Sequence, residues 1–161
     1  MRHTLFPSLL LFAAAQCLPA EVDAQGWPSQ YDGVMLQGFY WNSYGDSQWS
    51  YLEQQSDELS KYFSLIWVPQ SGNCNTTYNV MGYMPVYYYD HNSSFGSESQ
   101  LRSMISTFRD KGTGIIADVV INHRNTEGWF TFPAETYHGV TYQMLPTDIC
   151  KNDDDDHARQ R

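Results

Sequence analysis

Ile115-Ile116-Ala117-Asp118-Val119-Val120-Ile121 is the stretch on which the fold turns, because six of its seven side chains are apolar. A run without polar alternation reads as a strand covered on both faces, the mark of a parallel sheet. Working upstream, Gly112 and Gly114 end a helical pattern in which Leu101, Met104, Ile105 and Phe108 fall at i, i+3, i+4 and i+7. That helix opens at Ser97-Glu98-Ser99-Gln100, which has capping-box spacing. Before it lies a second apolar run, Leu65-Ile66-Trp67-Val68-Pro69, closed by a proline that cannot donate a ladder hydrogen bond. A third, Val34-Met35-Leu36-Gln37-Gly38-Phe39-Tyr40-Trp41, also reads as buried on both faces. Between these two, Asp46 or Ser47 is placed to cap an amphipathic helix carrying Leu52, Leu59 and Phe63. Strand, helix, strand, helix, strand implies a parallel sheet with right-handed crossovers. The pattern alone leaves an open doubly wound sheet and a barrel equally available. No Gly-x-Gly-x-x-Gly turn or Walker loop follows any strand, which argues against nucleotide binding.

The remaining sequence sets the address and the partners. Eighteen acidic against nine basic side chains give a formal charge of -9, a balance that repels nucleic acid and anionic membrane. Part of the excess is Asp153-Asp154-Asp155-Asp156, read either as a solvated terminus or as part of a cation site. At the other end Arg2 and His3 precede an apolar run from Leu5 to Ala15, too short to span a bilayer and followed by small residues. Residues 1–24 therefore read as a secretory signal peptide, cleaved after Ala20 or Ala24, and the mature chain as secreted, extracellular and without a membrane span. Cys17 would leave with the signal, and export would permit Cys74 and Cys150 to pair, although nothing local fixes their distance. From Gln70 to Gly96 the chain is long, irregular and rich in Asn, Ser, Gly and Tyr, a length usually kept for function. Beyond Asn122 no further strand-helix unit is expected.

Parallel α/β folds place their sites at the C-terminal ends of the strands. Here those ends offer Phe39, Tyr40 and Trp41, then Trp67, then Asn122-His123-Arg124, and the long loop adds Tyr78, Tyr83, Met84, Tyr87, Tyr88 and Tyr89. Aromatic planes stack on sugar rings, and Asn, His and Asp bind hydroxyls, so a neutral polyhydroxylated ligand suits this set; any single ring can equally be a core or loop anchor. Asp118, in mid-strand among apolar neighbours, needs a donor or a cation, and a structural ion pair suits that depth better than a catalytic acid. Asn122 can lend an amide oxygen to a hard cation and His123 a hydrogen bond to a hydroxyl. His91, His138 and His157 are too scattered for a zinc set, and no Gly-x-Ser-x-Gly elbow occurs.

Asp118-Val119-Val120-Ile121-Asn122-His123 resembles the first signature segment of the alpha-amylase family of glycoside hydrolases, and Gly82-Tyr83-Met84-Pro85 the segment after their second barrel strand. With Gln37-Gly38-Phe39-Tyr40-Trp41, Ile66-Trp67-Val68-Pro69, Phe95-Gly96 and Leu101 in the same order, residues 32–130 are especially similar to plant alpha-amylases, with a weaker match near Ile149 to Asp154. The resemblance implies a partial (β/α)8 TIM barrel holding the first three strand units over residues 25–121, and the start of an inserted calcium-associated domain over 122–161. It implies substrate contacts from Tyr83, Met84 and His123, a calcium ligand in Asn122, and a structural role for Asp118 toward an arginine on the next strand. It implies an endo-acting, retaining hydrolase of α-1,4-glucosidic bonds, monomeric, acting on starch or malto-oligosaccharide. The catalytic carboxylates would lie on the fourth, fifth and seventh strands, so no catalytic residue is assigned here and the 161 residues are expected to be inactive alone. A non-catalytic amylase-like or carbohydrate-binding protein is the alternative, told apart by binding without hydrolysis.

Overall fold

The three apolar runs do pair side by side. In the computed structural model, which describes residues 31–74, 81–125 and 131–148, strands β1 (Met35–Gln37), β2 (Leu65–Val68) and β3 (Gly114–Ala117) form one parallel sheet in the order β1-β2-β3. The chain divides after Tyr31, and the fold described is that of the unit beginning at Asp32. Register sets Leu36 beside Ile66 and Ile66 beside Ile115. β2 is bonded on both sides and holds the centre, with Ile66 0% and Val68 2% exposed. Gly38 lets β1 approach closely: its N–H reaches the Trp67 carbonyl at 2.8 Å, and a Cβ there would stand 2.9 Å from Ile66 Cγ2.

Helices α1 (Trp49–Gln54), α2 (Ser56–Leu59) and α3 (Glu98–Asp110) supply the crossovers. Both halves of the Ser97–Gln100 capping box are present on α3, whose buried stripe is Leu101, Met104 and Phe108. These pack with Leu52, Ile66, Val68 and Phe95 in one core. The Ser103 and Thr107 hydroxyls donate to Glu53 Oε1 at 2.8 and 2.7 Å, tying α3 to α1. Neither Asp46 nor Ser47 caps α1: Asp46 accepts from the Tyr40 hydroxyl and Ser47 donates to Ser43 Oγ at 2.8 Å. The Gln48 amide instead donates to the Tyr44 and Ser94 carbonyls, both at 2.6 Å, and swings Trp49, absent from the expected stripe, fully into the core against Phe95.

Two expectations are corrected. The outer strands are not covered on both faces: Met35 is 39% exposed, and past β3 Val119 and Ile121 are 65% and 77% exposed. β3 ends at Ala117 rather than Ile121 because β2 gives out at Pro69; the Asp118 N–H still reaches the Val68 carbonyl at 3.1 Å, and no partner follows among the described residues. β1 and β3 are both edges, so the sheet is unclosed, an α/β arrangement consistent with the first three strand units of a (β/α)8 barrel. The segment after Asn122 holds an antiparallel hairpin of β4 (Glu135–Tyr137) and β5 (Val140–Tyr142). Its turn sets His138 and Gly139 at φ 48° and 78°. A type I′ hairpin turn needs positive φ at both central residues, and His in the first position lacks the Asn-Gly signal by which such turns are read. The expected signal segment and the Asp153–Asp156 run lie outside the described residues. No helix among the described residues is long and apolar enough to cross a membrane.

Ser97→Ala should lower unfolding stability by about 1 kcal/mol, the usual worth of an N-cap. Urea midpoints check this, and an unchanged midpoint would mean that the capping box carries no weight.

Candidate functional site

The site starts from a backbone constraint at Gly82. This residue has φ 93°, and a Cβ on it would stand 2.7 Å from the Gln70 carbonyl oxygen, so a side chain is barred by conformation and by contact. Gln70, itself buried, accepts from the Gly72 N–H through its side chain, which fixes the chain just past β2. Tyr83 is thereby turned toward the strand ends. Its ring lies parallel to Trp41, with centroids 5.9 Å apart and planes 8° from coplanar. Its hydroxyl donates to Asp118 Oδ2 at 3.1 Å. Its carbonyl lies 2.8 Å from His123 Nε2, a hydrogen bond when that nitrogen carries the proton. Residues following β1, β2 and β3 thus meet at one point.

The Tyr83 phenol is pushed up from 10.0 to about 12, first by burial, then by the Asp118 charge and the hydrogen bond to it. It therefore remains a neutral donor. Asp118, expected deep in the strand, lies one residue past β3 and is only half-buried; among the described residues its side chain accepts from this hydroxyl. Met84 is half-buried and Asn122 exposed, and neither makes a polar contact with the Tyr83, Asp118 and His123 group.

Sequence reading missed the ion pair that holds the site's outer wall. Arg124 donates to Glu135 Oε1 at 2.8 Å, with side chains 6% and 7% exposed. Arg124 also donates to the Val86 and Pro133 carbonyls, at 2.7 and 3.2 Å, and its guanidinium lies 5.1 Å from the Tyr88 ring centre. Glu135 accepts the backbone N–H groups of Tyr88 and Tyr89 at 3.0 and 2.7 Å. The pair fastens β4 and the 85–89 loop to the residue that follows His123. A signal existed in the cost of burying a lone arginine, but nothing in the spacing names Glu135 as its partner.

A calcium site takes roughly six to eight oxygens. Asn122 brings one amide oxygen, and among the described residues no three His, Cys, Asp or Glu side chains converge to hold a metal. The described residues therefore do not by themselves fit a calcium centre. Burial pushes the Cys74 thiol up, opposed by a hydrogen bond from the Gly82 N–H; Cys150, its expected partner, lies outside the described residues. A cavity of 240 Å³ is lined by apolar Leu36, Phe39, Leu52 and Leu59 together with polar groups that include Gln37, Asp46, Ser47 and Gln55.

No family model matches the chain. Over 122 residues it is 32% identical to the chloroplastic alpha-amylase 3 of Arabidopsis thaliana, covering 70% of this chain and 13% of that protein. It is 26% identical over 114 residues to the glucan 1,4-alpha-maltohexaosidase of Bacillus sp. (strain 707), covering 64% of this chain and 22% of that one. Alpha-amylase I from Eisenia fetida, solved in complex with maltohexaose, superposes with a TM-score of 0.50 and 26% identity, covering 65% of this chain and 20% of that chain. The likeness is to alpha-amylases at large. It is not confined to the plant type, since bacterial and Eisenia proteins share it. The chain spans about a fifth or less of the length of these relatives.

Because the folded pKa of Tyr83 lies above the unfolded one, the native chain holds that proton more tightly; the resulting stabilisation is complete below pH 10.0 and is lost as pH climbs toward about 12. Tyr83→Phe should therefore shrink the alkaline fall of the urea midpoint, and an identical fall in both proteins would contradict the assignment. Glu135→Ala leaves a buried guanidinium and two amides unpaired and should cost about 3 to 5 kcal/mol. A loss under about 1 kcal/mol, the scale of a surface pair, would show that this ion pair is not what holds the wall.

Proposed function

We propose that this chain is the N-terminal part of an alpha-amylase-type glycoside hydrolase, whose complete barrel cleaves internal α-1,4-glucosidic bonds of starch or malto-oligosaccharide with retention. The observation that carries the reading is the Trp41–Tyr83 stack with Tyr83 bonded to Asp118 and contacted by His123, at the ends of three parallel strands. In this reading Tyr83 offers an aromatic face to a glucose ring, His123, with Nε2–H held by the Tyr83 carbonyl, accepts from a hydroxyl of the same sugar through Nδ1, and Met84 lines the neighbouring position. The hydrogen bond from Tyr83 keeps Asp118 oriented, and a later strand adds the arginine. A neutral Tyr83 and the absence of a positive cluster among these residues suit an uncharged ligand.

Retaining hydrolysis needs a nucleophile and an acid roughly 5 Å apart. In the proposal these carboxylates belong to strands that follow β3, so residues 1–161 bind but do not cleave. Calcium, when bound to the complete protein, would brace the inserted segment, with Asn122 supplying one of its oxygens. Residues 1–24 direct export, and the mature protein acts outside the cell as a monomer.

The test is to clone the transcript through and beyond codon 161 and assay both products on starch. The reading frame should continue into one segment bearing the nucleophile Asp and another bearing the acid Glu, and reducing ends should appear only with the longer product. A verified stop at codon 162, or cleavage by the 161-residue chain itself, would defeat the reading.

A further inference from the structure

The β4–β5 hairpin gathers aromatic rings that the site above does not use. Tyr89 stacks on Tyr137, with centroids 4.7 Å apart and planes 12° from coplanar, and Tyr142 joins the same cluster 5.3 Å from Tyr89. These three tyrosines come from a loop and from both strands of the hairpin, yet they remain 37%, 45% and 46% exposed. At that exposure, water meets ring surface and phenol alike. Three exposed rings grouped in one patch, rather than scattered singly, make a surface available to a ligand.

The cluster also stands on a rigid base. Glu135 begins β4 and accepts the Tyr89 N–H at 2.7 Å while paired to the buried Arg124. The backbones under Tyr89 and Tyr137 are therefore fixed to each other before any ligand arrives, which removes an ordering cost from binding. An uncharged ring cluster on a chain of formal charge -9 does not suit an anion, and it offers flat apolar faces edged by hydroxyls. Pyranose rings present the complementary surface.

We propose that Tyr89, Tyr137 and Tyr142 form a second carbohydrate-binding platform, separate from the Trp41–Tyr83 site, whose ligand is a neutral α-glucan chain. The choice of α-glucan rests on the function proposed above; the platform itself rests on the exposed rings. Such a surface would hold a polymeric glucan at a place that performs no chemistry.

The test is affinity electrophoresis of the full 161-residue chain in gels containing amylopectin, with maltohexaose titrated in solution as a second probe. Tyr137→Ala combined with Tyr142→Ala should weaken amylopectin binding about tenfold. Tyr137→Phe with Tyr142→Phe keeps the rings and should retain most of the affinity, which guards against a misfolded alanine variant. Trp41→Ala should weaken maltohexaose binding independently. Unchanged amylopectin retardation in the double alanine variant, with Trp41→Ala still defective, overturns the platform and leaves the proposed function standing. No retardation or maltohexaose binding by the wild-type chain overturns both. Self-association that the double alanine variant abolishes, without any change in glucan binding, would assign the surface to a second copy and overturn the platform.

Discussion

The parallel pairing of β2 with both of its neighbours is the constraint on which the rest depends. Because the three strands run the same way, the chain leaves each at the same end of the sheet, and residues far apart in sequence meet there. Trp41 follows β1, Tyr83 belongs to the connection after β2, and Asp118 and His123 follow β3. A slip of one residue in β2 would turn Ile66 and Val68 out of the core and break this convergence. The register is secured by apolar burial at Ile66 and Val68, and by the close approach that Gly38 allows.

A second layer of constraint lies outside the sheet. The segment 81–90 has no ladder of its own, and its backbone is satisfied by side chains and by isolated contacts. Asp90 accepts from the Asn73 amide and from the Asn92 N–H, while Glu135 accepts from Tyr88 and Tyr89. Burial opposes the charge on Asp90, yet hydrogen bonds from Asn73 and Asn92 hold its carboxyl below the usual range. Irregular chain is ordered here by buried acceptors, which leaves aromatic side chains free to face outward. The same buried pair that orders the loop also orders the hairpin, so two aromatic surfaces share one support.

Much of the fold was legible because its decisive signals are local. The capping box at Ser97 and Gln100, the stripe through Leu101, Met104 and Phe108, and the proline after Val68 each act within one or two turns of chain. Strand burial was misjudged at Met35, Val119 and Ile121 because exposure depends on what lies beside a strand, which an apolar run does not encode. Trp49 was missed because its entry into the core is set by Gln48 reaching the Ser94 carbonyl, forty-six residues away. In the site, residue types pointed to Tyr83, Asp118 and His123, but their mutual contacts did not; the Tyr83 hydroxyl as donor to Asp118 is a tertiary fact. Glu135 escaped for the same reason, since its partner Arg124 is defined only when the hairpin folds back.

The proposed sugar-binding site around Tyr83, at the ends of three parallel strands, requires Trp41, Tyr83 and His123 to act on one ligand together. Its most direct test is an NMR titration of the isotopically labelled chain with maltohexaose. Saturable shifts should appear at the Trp41 indole N–H, the Tyr83 ring and the His123 ring together, with one common dissociation constant, and should be lost in Tyr83→Ala. Shifts absent from all three, or retained in that variant, would contradict the account.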